Sequence, residues 1–323
     1  MSNERHVARM MSICLLVLTA GLAYGQEYPN RPVRIMATEA GGSGDFLLRL
    51  IVPGTQGLTG LLGQPVIIDN RVAIISTETV QKAPPDGYTL LVHGVAFWLG
   101  PLMQSMPYDP VNDFAPISTL ITQPTVLVVH PSLPVKSVAD LIALAKAKPG
   151  ALNYASSGIG GATHLSAELF KSMAGVNITR VNFKGNGTAL NDLMGGEVQM
   201  MFGNSGPVMP HIKSGRLRAL AVGSAEPSSL FPGVPTIGAS GLPGYESGNI
   251  NVMFAPAKTP DMIIRRLNQD VVRALNRPDM KEKFFVNGSE VVGSSPGQLA
   301  ALMKADMERM GKVIKDAGIR LEQ

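Results

Sequence analysis

Two stretches of small residues, each lying between a strand-like apolar run and a helix-like run, hold the chemistry this sequence offers. The first is Thr38-Glu39-Ala40-Gly41-Gly42-Ser43-Gly44-Asp45, and the second is Ser156-Ser157-Gly158-Ile159-Gly160-Gly161-Ala162-Thr163-His164. Backbone N–H groups at a helix start have no intrahelical partner and sit at the positive end of the helix dipole. Small side chains let an anion come close to them. The chemistry indicated is capture of a small carboxylate or phosphate by main-chain donors, with no lysine or arginine required. Two such loops, far apart in sequence, point to an anion held between two lobes.

The same residues argue against catalysis. Gly41-Gly42-Ser43-Gly44 lacks the last glycine of a nucleophile elbow, because Asp45 stands there. Gly158-Ile159-Gly160-Gly161-Ala162-Thr163 departs from the dinucleotide fingerprint at Thr163, and the chain has no P-loop. His93, His130, His164 and His211 show no metal-ligand spacing. The expectation is a protein that is not an enzyme and needs no cofactor or metal. Several of these residues also have a purely structural reading. Asp45 can serve as the N-cap of its helix, His164 can hydrogen-bond near the second helix start, and Lys184 reads as a solvated or structural cation. Trp98 reads as core and Met200-Met201 as sheet interior.

The elements that must position the loops alternate along the chain. Apolar runs at 33–36, 66–68, 88–92, 125–129, 178–183, 198–202, 217–222 and 251–255 read as strands. Ser137-Val138-Ala139-Asp140 resembles a capping box opening a helix that runs to Lys148. The last stretch of the chain reads as helical, with Ile264, Leu267, Val271 and Leu275 on one face. Strands alternating with helices predict mostly parallel sheets covered on both faces, an α/β architecture. Ligands of open α/β sheets sit beyond the carboxyl ends of strands. With each loop crowning its own sheet, the ligand lies in an interlobe cleft hinged by two crossing strands, near 122–126 and 247–252.

Arg5 and Arg9 precede an apolar run at 10–22, and Ala23-Tyr24-Gly25 supplies small residues for cleavage before Gln26. This is the pattern of a secretory signal peptide, too short to cross a membrane. The only cysteine, Cys14, lies inside it, so the processed chain has no disulfide and no thiol chemistry. The formal net charge of +4 is a weak basic excess without the Lys/Arg blocks that bind nucleic acid. The expected division is 1–25 signal peptide, 26–124 plus 249–323 one lobe, and 125–248 the other.

An ordered series of further motifs carries a family resemblance. It comprises Tyr28-Pro29-Asn30-Arg31-Pro32-Val33-Arg34, Gly63-Gln64-Pro65-Val66, Asn70-Arg71, Ala83-Pro84-Pro85-Asp86-Gly87-Tyr88-Thr89, Pro107-Tyr108-Asp109-Pro110 and Asp113-Phe114-Ala115-Pro116. It continues through the second glycine loop to Phe183-Lys184-Gly185, the run 210–220, Pro235-Thr236, Gly241-Leu242-Pro243-Gly244-Tyr245 and Ala255-Pro256-Ala257. In this series the chain resembles the extracytoplasmic solute receptors of tripartite tricarboxylate transporters, the Bug family.

The resemblance implies a two-lobed periplasmic binding protein of the type II, Venus-flytrap kind. Such a protein is a monomer that delivers a small carboxylate to integral membrane transporter subunits. An alternative partner is a sensor protein to which the bound ligand is presented. The ligand-binding residues carried over are Thr38, Gly41, Gly42, Ser43, Gly44 and Asp45 from the first loop. The second loop gives Ser156, Ser157, Gly158, Gly160, Gly161, Ala162, Thr163 and His164, and Asn204 lies in a turn after a strand. Three or four charge-assisted hydrogen bonds of about 1.5–3 kcal/mol each, less desolvation and lobe ordering, match micromolar binding.

The chain departs from the family pattern at four places. Glu39 stands where proline or alanine is usual, so it either points away or meets a cationic group on the ligand. Pro53-Gly54 should end or kink the first helix. Val72-Ala73-Ile74-Ile75 replaces a longer proline–glycine loop, and Gly203 replaces an aspartate.

Overall fold

The computed structural model describes residues 28–38, 43–157, 160–183 and 186–320. The expected signal peptide therefore lies outside the described residues, as do Glu39, Gly41, Gly42, Gly158 and Lys184. The chain opens with β1 (Val33–Ala37), α1 (Ser43–Ile51), α2 (Leu58–Leu62), β2 (Val66–Asn70), α3 (Ala73–Gln81), β3 (Thr89–His93) and α4 (Ala96–Met103). The first helix stops at Ile51, before Pro53-Gly54, as the sequence predicts. No long loop follows Arg71; α3 starts at Ala73.

Next come β4 (Phe114–Val129), α5 (Val138–Ala147), β5 (Asn153–Ser157), α6 (Ala162–Ala174), β6 (Thr179–Phe183), α7 (Asn186–Gly195), β7 (Met200–Asn204), α8 (Ser205–Lys213) and β8 (Arg218–Val222). The chain closes with β9 (Gly248–Pro256), α9 (Asp261–Leu275), α10 (Pro278–Val286), β10 (Glu290–Val291) and α11 (Pro296–Asp316). Ser137 caps α5 by accepting the Asp140 N–H at 3.1 Å. The Asp140 carboxylate reaches past the cap to the Lys136 N–H at 2.9 Å, so the reciprocal bond of a capping box falls one residue early.

The strands form two sheets that share β4. One runs β2-β1-β3-β9-β4 and the other β4-β7-β5-β6, with β8 and β10 also paired to β4. The mostly parallel arrangement expected from the alternation holds only away from the junction. β1 is parallel to β2 and β3, and β5 to β6 and β7. β9 is antiparallel to β3 and β4, and β4 is antiparallel to β7, β8 and β10. The cause is connectivity. β4 leaves the first sheet and continues straight into the second, while β9 returns from the second half of the chain and lies between β3 and β4.

β4 and β9 pair from Phe114 opposite Pro256 to Pro124 opposite Gly248. At the next residue β4 changes partners, and Thr125 lies opposite Asn204 of β7. Pro124 has no N–H to give the ladder. Gly248 faces it because a Cβ there would lie 3.2 Å from the Gln123 carbonyl oxygen. Side chains tie the junction instead. The Thr125 and Ser247 hydroxyls are 2.9 Å apart, Ser247 donates to the Tyr245 hydroxyl at 2.9 Å, and Tyr245 donates to the Ser166 carbonyl at 2.8 Å.

Helices cover both sheets. Ile264, Leu267, Val271 and Leu275 of α9 are buried, as their spacing predicts. Trp98 is fully buried and donates to Asp306 of α11 at 2.8 Å. Phe97 stacks on Tyr108 and meets Phe114 and Phe254 in a cluster that fixes α4 against β4 and β9. Met200 and Met201 are sheet interior. Among the described residues no helix is long and apolar enough to cross a membrane.

Candidate functional site

The first loop joins β1 to α1, and both of its anchors are pinned by side chains. Asn70 Nδ2 donates to the Thr38 carbonyl at 3.0 Å, and the Ser76 hydroxyl donates to the Ala37 carbonyl at 2.8 Å. Ser43 is the first residue of α1 and exchanges hydrogen bonds of 3.1 and 3.2 Å with Asn251 of β9. Gly44 sits so close to β3 and β9 that a Cβ would lie 3.3 Å from Val92 and 3.4 Å from Asn251. Asp45 is not the N-cap that the sequence allows. It is the third residue of α1, buried, and accepts from Arg49 Nε at 3.0 Å. The helix begins three residues earlier than an Asp45 cap requires, because Ser43 is fastened to β9.

The second loop joins β5 to α6. Ser156 is buried in the strand, and its hydroxyl accepts from Arg180 Nε at 2.8 Å. Ser157 ends β5. Gly160 has φ 73°, the left-handed region that favours glycine. Its N–H donates to His164 Nδ1 at 3.0 Å, so Gly160 supplies space and a turn while its donor is occupied. His164 thus does what its structural reading anticipates: one turn into α6, it closes the loop. Burial, and then the charge of Arg180, push its pKa down to about 4, so the ring is neutral with its proton on Nε2. Glu168 beside it is neutralised by Lys171 Nζ at 2.7 Å and bonded by the Tyr154 hydroxyl at 2.6 Å.

Gly161 is the N-cap of α6, with φ −74° and ψ 163°, and no side chain caps the helix. Ala162 and Thr163 follow in its first turn, their backbone donors directed along the helix axis. Asn204 is the last residue of β7 and the N-cap of α8, rather than part of a turn. It is placed beside the junction by pairing with Thr125, and its side-chain oxygen is buried without a hydrogen-bond partner. Gly203, where the resemblance expects aspartate, has no room for a side chain: a Cβ would lie 2.3 Å from Val208 Cγ1.

Beside Gly160 and Gly161 lies a cavity of about 220 Å³, walled by α3 and α4. His93, the last residue of β3, lines it. Its Nδ1 accepts from the Gly94 N–H at 2.8 Å, and burial lowers its pKa to about 4. His93, Ile74 and Met106 were not legible as site residues, since the elements that carry them meet only in the folded sheet. The one available signal was a histidine at a strand end followed by glycine. A smaller hollow of about 100 Å³ lies between α6, α11 and the β4–β9 junction. Its cation, Arg309, is committed to Glu246 and Asp306, each at 2.7 Å. Among the described residues no cluster of side chains suits a metal ion.

Two sheets sharing a strand, with a glycine loop at the helix start of each, match the pattern that the ordered motifs implied, and comparison with known proteins bears this out. Residues 53–319 match the tripartite tricarboxylate transporter family receptor. The chain belongs to this family. Protein BugT of Bordetella pertussis is 34% identical over 328 residues, covering 98% of this chain and 100% of BugT. Among solved structures, an R. palustris protein with adipate superposes with a TM-score of 0.75 at 36% identity, covering 92% of this chain and 100% of that one. MatC from Rhodopseudomonas palustris, with bound malate, gives 0.71 at 30% identity, covering 89% and 100%. The receptor is a two-lobed solute-binding protein and not an enzyme. Its hinge is the pair of crossing strands, β4 and β9.

Proposed function

We propose that this receptor works in the periplasm, capturing a small carboxylate between its β1–α1 and β5–α6 loops and delivering it to integral membrane transporter subunits. The observation that carries this reading is the start of α6 at Gly161, where no side chain caps the helix and Gly160 and Gly161 line a cavity. Carboxylates are the natural complement of such a terminus. The contacts proposed are Thr38, Glu39, Gly41, Gly42, Ser43, Gly44 and Asp45 on one side. On the other they are Ser156, Ser157, Gly158, Gly160, Gly161, Ala162, Thr163, His164 and Asn204. Within this set, Ser43 and Gly160 act by shaping the loops, since their polar groups already bond Asn251 and His164.

The lobes divide as 26–124 plus 249–323 and 125–248, so that closure bends the chain where β4 and β9 cross. Residues 1–25 direct export and are removed, and the processed chain works as a monomer. A thermal-shift screen of that chain tests the reading, because a ligand that binds only the native state raises the melting temperature with concentration. Carboxylates should give the hits. A panel in which only phosphates or uncharged solutes respond would overturn it.

A further inference from the structure

Gly160 and Gly161 line the cavity between α3 and α4, so a carboxylate held at the start of α6 lies beside it. Its volume is about 220 Å³. A buried apolar cavity of about 150 Å³ already accepts benzene. The wall is formed by Ala73, Ile74, Ala96, Met103 and Met106, with the methionines able to adjust to an irregular guest.

The polar side chains in the wall are already committed. Thr77 donates to the Ala73 carbonyl at 2.9 Å, and the Tyr108 hydroxyl donates to the Phe97 carbonyl at 3.0 Å. His93 has its Nδ1 2.8 Å from the Gly94 nitrogen and 3.1 Å from the Gly94 carbonyl oxygen and is kept neutral by burial, so it offers no charge. No lysine or arginine lines the cavity among the described residues. A second carboxylate entering here would lose its water and find no cation.

We infer that the solute is a monocarboxylate with an uncharged apolar tail, an aromatic ring or an aliphatic chain of about six carbons, and that the tail fills the α3–α4 cavity. This rests on the carboxylate being held at the start of α6. In this respect the receptor parts from the two relatives solved with adipate and malate, both dicarboxylates.

Isothermal titration of the secreted protein with length-matched pairs tests the inference: hexanoate against adipate, and benzoate against terephthalate. Each monocarboxylate should bind at least tenfold more tightly than its partner, and affinity should rise about fourfold per methylene from butanoate to hexanoate. Adipate binding as tightly as hexanoate would overturn the inference while leaving the carboxylate receptor standing. Binding of no carboxylate at all would overturn the reading beneath it. Met106→Lys, at a half-exposed wall position, should reverse the hexanoate-to-adipate preference, and an unchanged ratio in the folded variant would place the tail elsewhere. Ala73→Phe, which fills the cavity, gives an independent check: hexanoate affinity should fall at least tenfold, and undiminished affinity would refute the assignment.

Discussion

Replacing Gly161 by aspartate should make the protein more stable and abolish its binding, two effects of opposite sign from one side chain. Gly161 has φ −74° and ψ 163°, which any residue adopts without strain, and it occupies an N-cap with no side-chain acceptor. Aspartate there supplies a side-chain acceptor to the first turn. Relative to glycine the cap itself adds a few tenths of a kcal/mol. Reduced freedom of the unfolded chain adds about 0.4–1 kcal/mol, and the dipole about 0.3–1 kcal/mol. The sum is about 1–2 kcal/mol, or a rise of roughly 2–4 °C in melting temperature for a chain of this size. The new carboxylate also occupies the anion site. Removing two charge-assisted bonds of about 1.5–3 kcal/mol each weakens binding by at least about 100-fold. Differential scanning fluorimetry measures the first effect and isothermal titration the second, with Gly161→Ala as a control that adds a methyl but no charge. Carboxylate affinity in Gly161→Asp equal to that of the parent would refute the placement of the anion at α6.

Acid should weaken the fold through two neutral histidines. His93 and His164 are held to about 4 in the fold, mainly by burial, against 6.5 for the free side chain. The unfolded chain therefore binds more protons between those values, and stability is lost as pH falls from about 6.5 to about 4. Melting curves across that range should show the decline, and His164→Gln should flatten part of it. Asp306→Ala leaves the Trp98 N–H and the Arg309 guanidinium without their shared partner, and urea unfolding should show a loss of about 2–4 kcal/mol. Gly203→Ala should destabilise by about 1–3 kcal/mol through overlap with Val208. Combination with Val208→Ala should recover part of that loss, a coupling that a double-mutant cycle reads directly.

The elements were legible where one local signal dominated. The apolar stripe of α9 and the Pro-Gly stop after α1 both appear as the sequence predicts. The first half of β4 was hidden because Pro116 and Pro124 argue against a central strand, and register shifts after Pro116 and Thr119 break its alternation. A bulge and a change of partner accommodate the two prolines, and only the tertiary pairing reveals them. The antiparallel junction was hidden for the same reason, since nothing local to residues 248–256 says that they insert between two earlier strands. In the site, the glycine loops announced themselves by composition, and the role of His164 was open to a structural reading. The start of α1 at Ser43 depends on Asn251, more than two hundred residues away, and for that reason the alternative reading of Asp45 as a cap fails. The cavity beside Gly161 left only the weak signal of a histidine and glycine at a strand end, because its walls come from separate elements.

The position of β9 also dictates the order in which the molecule can be assembled. β3 and the first half of β4 are never direct neighbours; residues 248–256 lie between them. A chain synthesised only as far as β8 has β1 to β4 in hand, yet it lacks the strand that joins them into one sheet. Until that strand arrives, β3 and β4 present unpaired edges, which are sites for wrong pairing. The sheet that holds β1 to β3 therefore cannot be joined to β4 before β5 to β8 have been made, and its closure waits on contacts of long sequence separation, which form slowly. A nascent chain therefore commits its first sheet to its final shape only near the end of synthesis.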